Sequence, residues 1–508
     1  MNNQTIKNIV IVGGGTAGWM TAAALAKTVT CQTHNIILVE SEQIGTVGVG
    51  EATIPMISLF NNNVMGFDEN EFVRETNATF KLGIEFVNWR KQGHSYFHPF
   101  GLLGVDMDGI SFMHYWLRWR KAGGSLDCSK FNAETEAAYA LKFMRTSNQQ
   151  GPKLLPDINY AYQFDAGLYA AFLRRHAQAR GVKRIEGKIT EVKQHPDSGF
   201  IQSLVLENGE HVQGDFFIDC SGFRGLLIEQ TLNTGYADWS HWLPVNRAMA
   251  VPCESAGELL PYTRATAQEA GWQWRIPLQH RTGNGYVYCS EFISDDEAAS
   301  KLLERLDGKA QAEPRPLRFV TGMRKKCWVK NCLAIGLASG FLEPLESTSI
   351  HLVQISIAKL LAMFPRDGFS DIIIKRYNDE MEHEYDSIKD FLIAHYRVTE
   401  RDDTPFWKYV KNMSIPDSLQ ERLELFKTRG EVMVKQSELF KETNWFAVLA
   451  GQGLLPESYH SIADTISDDD LRLRLTKIRT GVQNRVNGMP KHADYIRENC
   501  KSAMSKIN

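Results

Sequence analysis

The sequence has no Cys-x-x-Cys pair, although it contains eight cysteines. Without such pairs, the cysteine spacing indicates neither a zinc ribbon nor a thioredoxin-like redox site. In a chain of 508 residues, scattered cysteines are typical of reduced thiols in a cytoplasmic protein. We therefore expect a cytoplasmic protein that binds no metal.

The sequence also lacks an excess of charge of either sign and any long apolar run. Its formal net charge is -3, which gives no electrostatic reason to expect nucleic acid or an anionic membrane as a partner. No apolar run reaches the ~20 residues that a membrane-spanning helix needs. Internal repeats and low-complexity segments are absent, and the length allows two or three compact subdomains.

A glycine turn near the start of the chain is the most informative motif. The apolar run from Ile9 to Val12 leads into Gly13-Gly-Gly-Thr-Ala-Gly18, after which Met20 to Lys27 reads as a helix. Gly13, Gly15 and Gly18 have the GxGxxG spacing, in which the glycines permit a tight turn, close approach to a pyrophosphate and helix packing. The motif predicts a dinucleotide site, and the alternative is a glycine turn of another kind.

Two further segments fit a dinucleotide fold. The apolar run Asn35 to Val39 ends in Glu40, near the position expected for an acid that binds ribose. The segment Asp215 to Gly225 again joins an apolar strand to a glycine turn, and we expect it to return the chain to the same sheet. The glycine-rich loop that follows Glu40 is either a ligand contact or a surface loop.

Three other patterns have both a functional and a structural explanation. Lys81 stands at the start of a partial strand pattern. A lysine at the end of a strand is usually solvated, and a catalytic role is the alternative. Trp272 and Trp274 lie on the same face if their segment is a strand. Their two indoles then form either a wall or ordinary core or edge packing. Ser347 to Ser349 precede a predicted helix from His351 to Phe364, so they either cap it or help its N-terminus to hold an anion.

Residues 55–79 are predicted to be helical.

Together, five segments resemble the flavin-dependent tryptophan halogenase family. The likeness covers most of the chain up to about Gly453, and the Trp-x-Trp-x-Ile-Pro stretch and Lys81 are specific because related flavin hydroxylases lack them. The segments are Gly13–Trp19, Gly48–Pro55, Phe80–Phe86, Gly271–Pro277 and Glu343–Ser349.

The resemblance implies an α/β fold. Residues 1–350 are expected to form a doubly wound, Rossmann-like FAD-binding module, interleaved with β-sheet of the substrate region at about 80–165 and 230–330. Residues 351–508 are expected to form a mostly helical covering domain. The FAD-binding residues implied are Gly13, Gly15, Thr16, Ala17, Gly18, Glu40, Gly48, Ala52, Ile189, Leu337 and Ile350.

The resemblance also implies a reaction. Reduced FAD, oxygen and chloride or bromide would give hypohalous acid, which Lys81 would hold by a hydrogen bond or as a haloamine and deliver to an electron-rich ring. Glu346 would polarise the oxidant or accept the ring proton. The remaining roles implied are halide binding by Thr348 and Ser349, substrate binding by His98, Ser347 and Phe440, and separation of the substrate from the flavin by Trp272 and Trp274.

The sequence departs from halogenases of free tryptophan in one region. Those enzymes carry a tyrosine pair and an acid that grip the amino acid, whereas residues 426–437 contain no tyrosine pair. Leu439 and Phe440 also replace the usual aromatic residue and tryptophan. The substrate is therefore expected to be indole or an indole derivative, or a larger or carrier-bound aromatic, rather than free tryptophan.

No second nucleotide fingerprint is present for NAD(P)H, which implies that a separate flavin reductase supplies the reduced FAD. The chain is expected to be a monomer or a homodimer. Two alternative functions remain open at this point: an aromatic hydroxylase that uses the same flavin, and a flavin-binding protein that has lost its catalytic activity.

Overall fold

The structure is a computed structural model that describes residues 6–43, 50–145, 155–365 and 368–507. Its strands are β1 (Asn8–Val12), β2 (Asn35–Glu40), β3 (Gly50–Ala52), β4 (Thr79–Lys81), β5 (Gly83–Val87), β6 (Ser95–Pro99), β7 (Ala161–Asp165), β8 (Lys183–Glu186), β9 (Ile189–Gln194), β10 (Ile201–Leu206), β11 (His211–Gln213), β12 (Phe216–Asp219), β13 (Tyr236–Asp238), β14 (Arg247–Cys253), β15 (Thr263–Gln268), β16 (Gly271–Pro277), β17 (Thr282–Tyr288), β18 (Arg315–Arg318), β19 (Gly322–Arg324), β20 (Trp328–Val329), β21 (Cys332–Ala334) and β22 (Gly340–Phe341).

The α-helices of the described chain are α1 (Thr16–Leu25), α2 (Met56–Ser58), α3 (Glu69–Glu75), α4 (Phe112–Lys121), α5 (Ala133–Tyr139), α6 (Ala166–Ala179), α7 (Asp295–Glu304), α8 (Ser349–Ala362), α9 (Asp371–Arg397), α10 (Pro405–Asn412), α11 (Asp417–Arg429), α12 (Glu442–Gly451), α13 (Asp468–Asn487) and α14 (His492–Asn499). Short 3₁₀ or π-helical turns lie between several of them.

The chain folds into two compact units, and each unit is assembled from three separate stretches. Unit 1 comprises Met1–Ala78, Phe164–His241 and Arg318–Tyr385. Unit 2 comprises Thr79–Gln163, Trp242–Leu317 and Asp386–Asn508.

Unit 1 is built on a six-stranded sheet with the order β20-β21-β12-β1-β2-β8. Strands β21, β12, β1, β2 and β8 run parallel, and β20 pairs antiparallel at one edge. Strand β1 consists of buried Ile and Val residues after Asn8, as expected for a central parallel strand covered on both faces. The prediction that the segment from Asp215 returns to this sheet is confirmed, because β12 pairs directly with β1.

Unit 2 is built on a seven-stranded sheet with the order β18-β14-β17-β16-β15-β5-β6. Its pairs β14–β17, β16–β17, β15–β16 and β5–β6 are antiparallel, whereas β5 runs parallel to β15. Helices α4, α5 and α10 to α14 belong to the same unit. The parallel sheet of unit 1 and this mixed sheet confirm the expected α/β fold class.

The helix predicted over residues 55–79 is wrong as a single element. The structure has the short α2, a π-helical turn at Leu59–Val64, and then α3. The break follows from Gly66, whose φ of +67° lies in the left-handed region that favours glycine. Asp68 then starts α3, because its side chain accepts a hydrogen bond from the Glu71 N–H.

Across the part of the chain that is described, no helix combines the length and the apolar character needed to cross a membrane.

Candidate functional site

The glycine turn between β1 and α1 has the geometry of an anion-binding loop. Gly13 has φ +111°, and a Cβ there would lie 2.3 Å from the Cys220 carbonyl oxygen, so only glycine fits. A Cβ on Gly18 would lie 1.8 Å from the Gly13 carbonyl oxygen. Gly15 caps α1 without any side-chain hydrogen bond, and the space where its Cβ would lie is open to at least 4 Å.

The start of α1 therefore presents free backbone N–H groups of Gly15, Thr16 and Ala17 to an open space, because the first intrahelical bond is donated by Trp19 to Gly15. A diphosphate is the group that such a helix N-terminus prefers. These residues fit a dinucleotide cofactor such as FAD.

Glu40 ends β2 beside this turn. Its Oε2 lies against Gly14, where a Cβ would be 1.4 Å away, while its Oε1 pairs with the Arg184 guanidinium and lies 3.8 Å from Arg174. Parallel pairing of β2 with β8 places Arg184 on the neighbouring strand. One carboxylate oxygen thus faces the glycine turn, where a ribose hydroxyl would donate to it.

The other cofactor residues predicted in unit 1 lie at strand and helix ends. Ala52 is buried in β3, and Ile189 is half-buried at the start of β9. Leu337 is half-buried in the 3₁₀ turn Gly336–Ala338, and Ile350 is buried in α8. The predicted Gly48 lies outside the described residues.

Gly336 brings the start of α1 close to α8. It has φ +72°, and a Cβ at this position would lie 2.8 Å from the Ala17 Cβ and 3.5 Å from Val353 Cγ2. Helix α8 also packs directly on α1. The dinucleotide turn and the helix predicted to hold a halide are therefore neighbours within unit 1.

The segment before α8 buries several polar groups. Glu346 is fully buried at the end of a 3₁₀ turn, Ser347 follows with φ +58°, and Ser349 is half-buried. Thr348 caps α8, but its side chain makes no capping bond, and its buried Oγ1 has no hydrogen-bond partner among the described residues. A buried hydroxyl at a helix N-terminus is a suitable donor to a small anion.

Lys81 ends β4 in unit 2 and is 0% exposed. Its Nζ lies 5.1 Å from the centroid of the Phe100 ring. Lysines are almost never fully buried for packing alone. Lys81 lies where the chain passes from one sheet to another. Strand β4 pairs with β7, whereas β5 begins at Gly83 and joins the seven-stranded sheet.

Two predicted substrate residues, His98 and Phe440, lie in one aromatic cluster of unit 2. Their ring centroids are 6.2 Å apart, and both rings contact Phe391, with Phe440 stacked on it at 3.9 Å. His98 Nε2 lies 3.0 Å from the side-chain amide of Asn444. The cluster offers apolar ring faces together with one polar edge.

Trp272 and Trp274 lie on one face of β16, with ring centroids 6.2 Å apart. Both indoles are buried. A Cβ on Gly285 would lie 2.1 Å from the Trp274 ring, so the neighbouring strand β17 leaves room for this indole only because it has glycine there.

The sequence analysis missed several residues that contact the predicted ones. Phe100 stands two positions after His98, and its place over Lys81 follows from the pairing of β5 with β6 rather than from a local sequence signal. Arg184 pairs with Glu40 through a strand register that no local pattern reveals. Among the described residues, no cluster of three or more His, Cys, Asp or Glu residues could hold a metal ion.

Comparison with known proteins identifies the family. The family model described as tryptophan halogenase matches residues 8–468. Tryptophan 6-halogenase ThaL of Streptomyces albogriseolus is 36% identical over 90% of this chain and 91% of its own. Tryptophan 7-halogenase RebH of Lentzea aerocolonigenes is 35% identical over 89% and 91%.

Solved structures agree with this. The flavin-dependent halogenase Xcc4156 from Xanthomonas campestris superposes with a TM-score of 0.95 at 46% identity, covering 98% of this chain and 99% of that one. The flavin-dependent halogenase BrvH from Brevundimonas sp. BAL3 gives a TM-score of 0.93 at 41% identity, with the same coverage. The chain therefore belongs to the tryptophan halogenase family of FADH2-dependent enzymes.

Proposed function

We propose that this enzyme uses reduced FAD, oxygen and chloride or bromide to halogenate an electron-rich aromatic, namely indole or an indole derivative rather than free tryptophan. The observation that carries the proposal is Lys81, a fully buried ammonium group with an aromatic ring over it. When bound, reduced FAD supplies the electrons with which oxygen and halide give hypohalous acid.

In this proposal, Lys81 receives the hypohalous acid. An ammonium group has three N–H donors, and away from bulk water its hydrogen bonds to the oxygen of a small oxidant are strengthened. The Phe100 ring limits the directions in which the ammonium can move. Lys81 then presents the halogen to the aromatic carbon, and Glu346 accepts the proton that leaves that carbon.

The halide is assigned to the N-terminus of α8. Thr348 Oγ1 is a buried hydroxyl that has no partner in the described part of the chain, and the first N–H groups of α8 point in the same direction as the positive end of the helix dipole. Ser349 adds a second hydroxyl at the first helical position. Because α8 packs on α1, this position is supported as one close to the cofactor.

The aromatic cluster of unit 2 supports an indole-sized substrate. The rings of His98 and Phe440 can stack on an aromatic molecule, and Ser347 is the third residue assigned to substrate binding. Glu431, the acid in the region where a tyrosine pair is missing, is held 3.0 Å from Arg429. One oxygen of that carboxylate is thus already paired with a cation of the chain. Trp272 and Trp274 would keep the substrate away from the flavin.

The experiment is a competition assay with the purified chain, FAD, NADH and a separate flavin reductase. Indole, 3-substituted indoles and free tryptophan are offered together with equal chloride and bromide, and products are identified by mass spectrometry. Halogenated indoles with little halogenated tryptophan are expected. Oxygenated products that form without halide would instead indicate an aromatic hydroxylase, and the absence of any product over a broad aromatic panel would indicate lost activity.

Lys81→Met tests the role of the amine, because it keeps the length of the side chain and removes its charge. Halogenation is expected to fall by about 10² or more while oxidation of reduced FAD continues. Lys389→Met is the matched control, since Lys389 is also a buried lysine of unit 2 but pairs with Asp386. Wild-type halogenation by Lys81→Met would contradict the assigned role.

A further inference from the structure

One face of α8 carries three buried polar groups in successive turns. Thr348, His351 and Gln354 are spaced three residues apart, so neighbouring members lie side by side on the helix. Thr348 Oγ1, His351 Nδ1 and Gln354 Nε2 are all buried and have no hydrogen-bond partner among the described residues. We call these three residues the α8 polar stripe.

Leaving such groups unpaired is costly. Each buried donor or acceptor without a partner has lost its hydrogen bonds to water and gained none within the protein, and native proteins rarely tolerate several together. Gln354 and His351 are each 5% exposed, so bulk solvent does not satisfy them. Ordered water, which bonds to otherwise unsatisfied buried polar groups, is the expected occupant.

His351 is also half of a buried pair. Its Nε2 lies 3.1 Å from Glu384 Oε1 on α9, and both side chains are largely excluded from solvent. The carboxylate accepts the Nε2–H, which fixes the ring orientation and leaves Nδ1 for the polar stripe.

Three other elements that pack on α8 carry no ionisable side chain among their described residues, whereas α9 also brings Tyr377, whose hydroxyl donates to the Ser356 carbonyl. Helix α1, helix α2 and the turn Gly336–Ala338 contact α8 and contain no ionisable side chain. Further along α8, Lys359 pairs with Glu380 of α9, two turns beyond His351. Glu384 is the charged group that directly contacts the His351 ring.

We propose that the α8 polar stripe binds a file of water molecules and that the His351–Glu384 pair passes a proton along it to the halide position at Thr348. The inference rests on the proposed function, because formation of hypohalous acid consumes a proton: FADH2 + O2 + X⁻ + H⁺ gives FAD + HOX + H2O. Transfer of the halogen to the aromatic, ArH + HOX to ArX + H2O, consumes no further proton.

The direction of transfer follows from these contacts. His351, carrying a proton on each ring nitrogen, gives its Nδ1 proton to the adjacent water, and the file relays a proton to the oxygen displaced when the halide is oxidised. The Nε2–H stays on its bond to Glu384, so Nδ1 takes up its next proton from solvent through the same file after the product has left. Gln354 holds the file in place without titrating. Thr348 is the last donor before the halide.

Two variants separate the parts of the relay. His351→Phe keeps a ring but removes both nitrogens, and Gln354→Met removes one water ligand while leaving the His351–Glu384 pair. His114→Phe is the matched control, because it removes an equally buried imidazole from α4 in unit 2. Hypohalous acid is measured with a chemical trap in the absence of aromatic substrate, and FAD and bromide affinities are measured by titration.

The relay predicts unchanged FAD and bromide affinity in both variants. It predicts hypohalous acid formation about 10- to 100-fold slower in His351→Phe at neutral pH, recovering as the pH falls because solvent protons replace the relay. A larger solvent deuterium isotope effect is expected in His351→Phe than in the wild type. Gln354→Met is expected to be slower by a smaller factor, and His114→Phe is expected to match the wild type.

A high-resolution crystal structure of the ligand-free wild type gives a readout independent of turnover. Ordered water bridging Thr348, His351 and Gln354 is expected, and protein atoms filling that space would overturn the proposal. Equally, a wild-type rate, pH profile and isotope effect in His351→Phe would overturn the relay alone. A wild-type protein that makes no hypohalous acid at all would overturn the proposed function instead.

Discussion

The Lys81 ammonium nitrogen lies 5.1 Å from the centroid of the Phe100 ring. The Phe100 N–H also donates to the Leu82 carbonyl at 3.0 Å, so the backbone next to the lysine fixes the ring above it. A cation held over a ring face in a dry site gains about 2 kcal/mol. Phe100 therefore restrains the amine that is proposed to hand over the halogen.

Phe100→Leu is expected to loosen the Lys81 side chain without removing it. The halogenated product formed per reduced FAD oxidised should fall about 2- to 10-fold, because part of the oxidant escapes the amine. Product is measured by mass spectrometry and flavin oxidation by oxygen uptake, which serves as the internal control. An unchanged ratio of product to oxygen consumed would show that the ring has no role in delivery.

Trp274→Phe tests the proposed separation of substrate and flavin. The Trp274 ring lies on the Gly285 backbone, so the smaller ring leaves space beside β17 and destabilises the fold by about 1–2 kcal/mol. We expect less halogenated indole and the appearance of indole labelled from ¹⁸O2. Trp116→Phe, which replaces a buried indole on α4 with the smaller phenyl ring, is the control and should give no labelled product. Absence of label in both variants would argue against a barrier.

Gly336→Ala tests the contact that joins α1 to α8. Alanine at φ +72° is strained, and its Cβ would also lie 2.8 Å from the Ala17 Cβ, so the helix that meets the diphosphate must shift. FAD affinity, measured by fluorescence titration, should fall about tenfold or more. Gly209→Ala is the control, since it has φ +83° but nothing within 4 Å of the added methyl. Equal FAD affinity in the two variants would contradict the prediction.

Glu134 makes stability depend on pH. Burial raises its pKa to about 7, outweighing the hydrogen bonds from Asn159 and Asn132 and the charge of Arg485. Because the folded pKa lies above that of an exposed glutamate, its stabilising contribution is complete at low pH and is lost as the pH rises through about 7. Glu134→Gln should remove this loss, on the order of 3 kcal/mol. Denaturant unfolding at pH 5 and pH 8 measures the free energy of unfolding at each pH. An equal pH dependence in wild type and variant would contradict the prediction.

The local parts of the fold were predictable from the sequence because they depend on neighbouring residues. The apolar run ending at Gly13 gave β1, the run ending at Glu40 gave β2, and the helix expected from His351 corresponds to α8, which begins at Ser349. In contrast, the helix expected over residues 55–79 breaks at a left-handed glycine that an apolar periodicity does not reveal.

The contacts that shape the candidate site were less predictable, because they join residues far apart in sequence. Glu40 meets Arg184 through the pairing of β2 with β8, and His351 meets Glu384 across two helices. The catalytic and binding roles of Lys81, Glu346 and Thr348 remain predictions, which came from motif resemblance rather than from periodicity. The roles proposed for Phe100 and Gln354 rest on their neighbours in the folded structure, which the sequence alone does not show.

The division of each unit into three separate stretches has a consequence for biogenesis. Unit 1 needs residues as late as Tyr385, and unit 2 needs residues beyond Asp386, so neither has all its strands and helices while the middle of the chain is leaving the ribosome. Both large sheets have all their strands by Ala334, but helices α8 to α14 are synthesised only with the last third of the chain, so nascent chains must hold incompletely covered sheets until then. Chaperone supply and translation speed, rather than final stability, should therefore limit the yield of active protein.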